Sequence, residues 1–308
     1  MDRRSAWVLG IVFGGLFLVL LAFLFLVQAT VRSGSPGFAA GSRTSGSGPL
    51  VGVVEVLGPI DDSKKAVEQL EAFGRRDDIR AVVVRVDSPG GAVGPSQEIY
   101  AAIERLSESK KVVASMGSTA ASGGYYIAAA ADQIYANAGT LTGSIGVIFQ
   151  FANLEGVMNW AGIRMNTITA GGSKDIGSPF REMTAEDRAL LETLLLDVHE
   201  QFIGDVARGR GLTVEEVRPY ADGRIFTGRQ AQEFKLVDAL GGLHAAAKAA
   251  LALAEVEGEP RLEYPKKENP LLMELLGESP AASAGKLLRE GIEGARGEGG
   301  VMFLAPGL

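Results

Sequence analysis

The sequence predicts an α/β protein in which a largely parallel sheet is layered with helices. Three features carry that expectation. Ala81-Val82-Val83-Val84-Arg85-Val86 is a β-branched run with little alternation, the pattern of a strand covered on both faces. Between Leu50 and Ala254, strand-like and helix-like segments alternate, as crossover connections require. Two of the strands also run into glycine pairs, Gly90-Gly91 and Gly123-Gly124, where a chain can turn tightly at a sheet edge.

Taken in order, Trp7 to Val27 comes first, 21 residues without a charge. At 1.5 Å per residue that spans about 30 Å, the thickness of a bilayer core. The run is too long for a signal-peptide core, and Gln28-Ala29-Thr30-Val31 is a poor cleavage site, so residues 1–28 are expected to hold a transmembrane helix. Arg3 and Arg4 precede it, which puts the N-terminus in the cytoplasm and the rest outside, at the cell membrane. Residues 29–49, mostly Gly, Ser, Pro, Ala and Thr, read as a flexible linker.

The folded domain is expected over 50–257. Val51–Val56 reads as a strand, and Ser63–Phe73 as a helix with Ala66, Val67, Leu70 and Phe73 on one face. Pro95 opens a helix whose buried stripe is Ile99, Ala102, Ile103 and Leu106. Lys111–Met116 is the next strand. Ile134–Ala136, Ile145–Ile148 and Ile163–Ile168 are further candidates. Thr184 with Asp187 forms a capping box for a long helix reaching about Ala207. Gly228–Leu236 and Leu243–Ala254 add two more helices. From 258 to 308, Pro, Gly, Glu and Lys dominate, and a mobile tail is expected.

Composition narrows the chemistry. A net charge of −7 without a basic cluster argues against nucleic acid as a partner. Without cysteine there are no disulfides, thiolate metal sites or cysteine nucleophiles. The two histidines, His199 and His244, lie in separate helix-like runs with no second histidine at metal spacing. A Ser-His-Asp triad is therefore disfavoured, and an activated serine needs another base.

Such a serine is at hand in Met116-Gly117-Ser118-Thr119-Ala120-Ala121-Ser122-Gly123-Gly124-Tyr125-Tyr126. Ser122 falls where a strand meets Ile127-Ala128-Ala129-Ala130-Ala131, a run of high helix propensity. That position raises a hydroxyl at the end of a sheet, above helix N–H groups that can meet a developing oxyanion. The plain alternative is a glycine-rich turn that packs a helix on a strand. Asp87-Ser88-Pro89-Gly90-Gly91 offers similar backbone donors after the most apolar strand. Leu141 to Val147, small residues beside a strand, fits a substrate-channel wall. Lys174 sits in the Gly/Ser loop from Gly171 to Pro179, where a lysine is usually a solvated charge. Lysine can replace histidine as the base if burial or a cationic neighbour disfavours its ammonium form. Ser144 or Ser178 could orient the amine.

These four motifs, in this order, resemble the signal peptide peptidase A family. Arg181-Glu182-Met183-Thr184, Ala221-Asp222-Gly223-Arg224 and Gly228-Arg229-Gln230-Ala231 extend the likeness over roughly 50–245. The resemblance implies a membrane-anchored serine endopeptidase with the ββα superhelical fold of the Clp protease and crotonase class. It implies Ser122 as nucleophile and Lys174 as general base. Gly123 and one of Gly90 and Gly91, with Gly91 favoured, would supply the oxyanion hole. No cofactor or metal is implied. The expected substrates are remnant signal peptides and other hydrophobic, membrane-proximal peptides. One copy of each motif matches the family's short form, which implies a homo-oligomer whose serine and lysine can come from different subunits. Other readings are a related Ser-Lys protease acting on stomatin-like partners, a crotonase-like acyl-CoA enzyme, and a scaffold in which Ser122 only packs a helix. The apolar end, Val301 to Leu308, is expected either to be trimmed by the enzyme itself or to lie in the substrate groove as an extended strand.

Overall fold

The computed structural model describes residues 48–265 and the backbone of 302–304. The expected anchor at 7–27 and nearly all of the linker lie outside the described residues. Among the described ones, no helix is long and apolar enough to cross a membrane.

In chain order the elements are β1 (Leu50–Leu57), α1 (Lys64–Gly74), β2 (Ile79–Ser88), β3 (Gly90–Ala92), α2 (Val93–Ser107), β4 (Lys111–Ala121) and α3 (Gly123–Ala128). Then come β5 (Gln133–Ala136), β6 (Leu141–Gly143), α4 (Glu155–Trp160), α5 (Ala185–Arg210), α6 (Val214–Val217) and β7 (Ile225–Thr227). The series closes with α7 (Gly228–Glu233), β8 (Ala239–Leu240), α8 (Leu243–Leu253), β9 (Arg261–Glu263) and β10 (Met302–Leu304). The main sheet runs β7-β6-β4-β2-β1-β9, with β5 beside β4 and β8 beside β5. Every pairing in it is parallel except β6 with β7.

The two faces of the sheet explain the unbroken apolar runs. On β2, Val82, Val84 and Val86 enter the larger core, with Ile99 and Ile103 of α2 and Leu70 of α1. Ala81 and Val83 point the other way, onto Ala246, Ala247, Ala250 and Leu251 of α8. Period-two alternation thus buries both sets, and a polar position would cost desolvation on either face.

The structure departs from the sequence reading in three places. Neither 145–148 nor 163–168 is a strand. Ser144 takes φ 52°, which ends β6 just before the first run, and Ile163 and Ile168 are exposed, so apolar character there marks no interior. The tail expected from residue 258 instead supplies β9, which extends the sheet beside β1, and β10, which pairs with β3. The Thr184–Asp187 capping box is present as expected, and α5 runs on to Arg210, stopped by Gly211 in the left-handed conformation.

Candidate active site

Ser122 stands at the hinge between β4 and α3 with φ 53° and ψ −117°, a sparsely populated conformation for a residue with a side chain. Such a sharp strand-to-helix turn is how a nucleophile elbow lifts its hydroxyl from a sheet. The backbone is held on both sides. Ser122 N–H donates to the Gly143 carbonyl at 2.8 Å, and Ser144 N–H donates to the Arg224 carbonyl at 2.8 Å. The Thr142-Gly143-Ser144 stretch therefore braces the elbow. Ser122 is fully buried, and its Oγ has no hydrogen-bond partner among the described residues. A buried hydroxyl without a partner is costly, and in a native fold it calls for an explanation.

The glycine pairs meet beside it. A β-carbon on Gly123 would lie 3.2 Å from the Gly91 nitrogen and 2.7 Å from Ser96 Oγ. One on Gly91 would lie 2.3 Å from the Ile60 carbonyl oxygen, so no larger residue fits without moving backbone. The two candidate donors are not equivalent. Gly90 N–H donates to the buried Ser88 Oγ at 3.1 Å and is spent there, which removes Gly90 from the oxyanion hole. On the same strand, Ile60 N–H donates to the Gly90 carbonyl and Ala92 N–H to the Ile60 carbonyl. By alternation, the N–H and C=O of Gly91 face the opposite edge. Gly123 N–H opens α3 and has no acceptor within that helix.

Two more contacts stiffen this corner. Opposite Asp87, β4 bulges over Gly117-Ser118-Thr119, and the Asp87 carboxylate accepts the N–H groups of Ser118 (3.2 Å) and Thr119 (3.0 Å). Tyr125 and Tyr126 pin α3 from two sides. Tyr125 OH donates to the Leu236 carbonyl at 3.0 Å, while Tyr126 OH donates to the Asp205 carboxylate and its ring meets Phe202 edge-on at 4.9 Å. Burial raises the pKa of both phenols, so they stay neutral donors.

Lys174 is placed differently. It is exposed on the loop from 171 to 180, and among the described residues no hydrogen bond joins it to Ser122. Asp175 is fixed by Arg181, whose Nε and Nη2 donate to its two carboxylate oxygens at 2.8 and 3.0 Å. Arg181 also pairs with Asp187, in the first turn of α5, and holds both carboxyls below their usual range. Neither supporting serine meets the lysine. Ser178 Oγ accepts the Phe180 N–H at 3.3 Å, and Ser144 is buried beside the elbow. Between Gly146 and Gln201 the one buried residue is Asp187. Twelve of the sixteen large apolar side chains exposed among the described residues lie between Phe151 and Leu196, with Trp160 87% and Ile168 98% exposed.

Within one chain, then, the fold brings together Ser122, Gly123 and Gly91, but not Lys174. Sequence reasoning missed Ser88, Ser96 and Arg181 as positioning residues. Ser88 carried a signal, a hydroxyl two residues before Gly90, the spacing of a serine turn. Ser96 and Arg181 act through contacts that only the fold creates.

Comparison with known proteins gives these residues a setting. The model of Peptidase family S49 matches residues 104–257, and that of Clp protease matches 52–141. The chain is 44% identical over 226 residues to the Synechocystis protein named "Putative protease slr0021", covering 73% of this chain and 82% of that one. It is 34% identical over 206 residues to "Serine protease SPPA, chloroplastic" of Arabidopsis thaliana, covering 67% of this chain and 30% of that protein. With "Protease 4" of Salmonella typhi it shares 33% identity over 216 residues, 70% of this chain and 34% of that one. Family model, coverage and fold agree: the chain belongs to peptidase family S49.

Proposed function

We propose that the protein is a membrane-anchored serine endopeptidase of the signal peptide peptidase A type, cleaving signal-peptide remnants and other hydrophobic peptides near the membrane with a Ser-Lys dyad. The observation that carries this reading is the strained, buried Ser122 with Gly123 and Gly91 converging beside it. Ser122 Oγ attacks the scissile carbonyl, and Gly123 and Gly91 N–H groups stabilise the oxyanion. The base is Lys174, supplied by a second copy of the chain. Two features support that assignment: the Ser122 hydroxyl lacks a partner among the described residues of its own chain, and Lys174 lies on a segment rich in exposed apolar side chains. Apolar surface on that scale marks association between molecules. The uncharged run at 7–27 supports the anchor and the choice of hydrophobic substrates.

A serine-reactive phosphonate tests the nucleophile directly. Ser122 is expected to take the label in the wild type, and Ser122→Ala to take none. Equal labelling of the two would remove Ser122 from the mechanism.

A further inference from the structure

Helix α3 has six residues, too few for much stability of its own, and among the described residues no side chain caps it. The strained Ser122 backbone therefore persists only because the surroundings of α3 over-determine it. Much of that support converges on one carboxylate, Asp205 of α5. Its Oδ2 accepts the Tyr126 hydroxyl, and its Oδ1 takes Arg208 Nη2 at 2.8 Å. The Tyr126 N–H in turn donates to the carbonyl of Ser122 itself at 2.8 Å, so two bonds lead from the carboxylate to the elbow. Helix α2 closes the cluster. Arg208 reaches Glu104 at 3.2 Å and lies over the Tyr100 ring, 5.5 Å from its centroid. Gln97 hydrogen-bonds the same Tyr126 hydroxyl, and the Tyr100 hydroxyl donates to the Asp205 main-chain carbonyl at 3.0 Å. About one turn further along α5, a β-carbon on Gly209 would lie 2.0 Å from the carbonyl oxygen of Ala129, the residue that ends α3. Tyr125, by contrast, donates to a neutral carbonyl, and a bond to a carboxylate is roughly twice as strong.

We propose that Asp205 is a positioning residue for the nucleophile: its carboxylate, steadied by Arg208, clamps Tyr126 and so holds Ser122 and the Gly123 N–H in place beside Gly91. The proposal rests on the serine-peptidase reading above and adds to it the group that sets the geometry of the elbow. Asp205 touches no reacting atom and acts through Tyr126. A tilt of α3 would move Ser122 Oγ and the Gly123 N–H together, because both sit at its first turn. Substrate would still bind along β3, while attack and oxyanion stabilisation would both slow. The charge matters as well as the acceptor: a neutral amide can accept the phenol but cannot hold Arg208, the link to α2.

Kinetics on an apolar peptide, with melting temperatures alongside, test the clamp. Tyr126→Phe keeps the ring and deletes only the hydroxyl, while Asp205→Ala deletes its acceptor. Each is expected to lower kcat roughly tenfold with KM nearly unchanged. The double variant is expected to lose no more than the slower single one, because both remove the same interaction. Asp205→Asn is expected to recover part of the rate, and with Tyr126→Phe it carries the test if Asp205→Ala does not fold. Tyr100→Phe is the structural control. It loses a comparable phenol bond, to the Asp205 main chain, and is expected to lower Tm while kcat stays near that of the wild type. Wild-type kcat in Tyr126→Phe, losses that multiply in the double variant, or an equal loss of kcat in Tyr100→Phe overturns the proposal. Amide protection factors across α3 separate these failures from a failure of the peptidase reading. They are expected to fall in Tyr126→Phe and to hold in Tyr100→Phe, whatever the wild type does to the peptide. A wild type that leaves the peptide intact refutes the peptidase reading alone, whereas unchanged α3 protection in Tyr126→Phe refutes the clamp.

Discussion

Gly91 and Gly123, 32 positions apart in sequence, meet so closely that a β-carbon on Gly123 would stand 3.2 Å from the Gly91 nitrogen. Their contact is supported from below by two buried serines, Ser88 on the Gly90 N–H and Ser96 against Gly123. On the proposed reading, a donor pair fixed in this way needs no rearrangement when negative charge develops, which is where electrostatic catalysis gains most.

Loss of Ser88 should therefore be felt in the chemical step. Ser88→Ala leaves the Gly90 N–H buried without an acceptor and frees the loop that aims Gly91. Losing about 1.4 kcal/mol of transition-state stabilisation slows turnover roughly tenfold. Steady-state kinetics on an apolar peptide should show kcat reduced and KM nearly unchanged, the signature of an interaction made in the transition state.

The dyad is tested by mixing. Ser122→Ala and Lys174→Ala are each expected to abolish peptide hydrolysis while keeping the wild-type circular dichroism spectrum. Lys174→Arg should be equally inactive, because a guanidinium does not give up its proton at usable pH. Co-assembly of the two alanine variants should restore part of the activity, since some sites would then combine an intact serine with an intact lysine. Mixtures that stay silent would return the base to the same chain.

The loop bearing Lys174 should loosen in acid. Arg181 lowers the pKa of Asp175 and Asp187 from the ordinary value of 3.8. A carboxyl with a depressed folded pKa contributes stability that is complete above its unfolded value and is lost as pH falls through the folded one. Protection factors over 171–180, which divide out the intrinsic pH dependence of amide exchange, should thus be constant down to about pH 4 and fall below it. Arg181→Ala should show the low protection already at neutral pH, together with reduced turnover.

Assembly should depend on the exposed apolar side chains of the 151–196 segment. Trp160→Glu and Ile168→Glu are expected to shift the mass measured by light scattering toward the monomer and to reduce activity in parallel. Neither side chain is buried in the single chain, so the melting temperature of an isolated subunit should change little.

Phe202 gives the contrasting case. It is fully buried against Tyr126, and Phe202→Ala should cost about 3–5 kcal/mol by leaving a cavity beneath α3. Calorimetry should show a melting temperature lower by roughly 10 °C for a domain of this size.

Much of this architecture was legible in the sequence because local patterns agreed with the final packing. The valines of β2, the stripe Ile99–Ile103–Leu106 of α2 and the Thr184–Asp187 cap each specify their element without help from distant residues. The elbow at Ser122 was legible for the same reason: a strand, a serine and two glycines in a row leave few other conformations. Ile163 and Ile168 misled because an apolar residue need not be buried at all: more than half of a folded protein's surface is apolar. The short strands β3, β6, β7 and β10 exist only through their partners, so no local pattern could announce them. The division between Gly90 and Gly91 lay in one local bond, the Gly90 N–H donating to the Ser88 hydroxyl two residues before it, whose signal the sequence reading passed over.

Helix α5 has a mechanical consequence. Asp187, near its start, grips the arginine that holds the lysine loop, while Phe202, 15 residues later, rests on Tyr126 beneath the Ser122 turn. At 1.5 Å per residue, those two anchor points are about 22 Å apart along a continuous helix. On the reading in which Lys174 serves a neighbour, that rod is a ruler: its length fixes the spacing at which successive subunits can complete one another's sites. Removing four residues from its exposed half would shorten it by about 6 Å and turn the lysine loop by roughly 40°. Such chains would fold, yet fit neither wild-type neighbours nor one another.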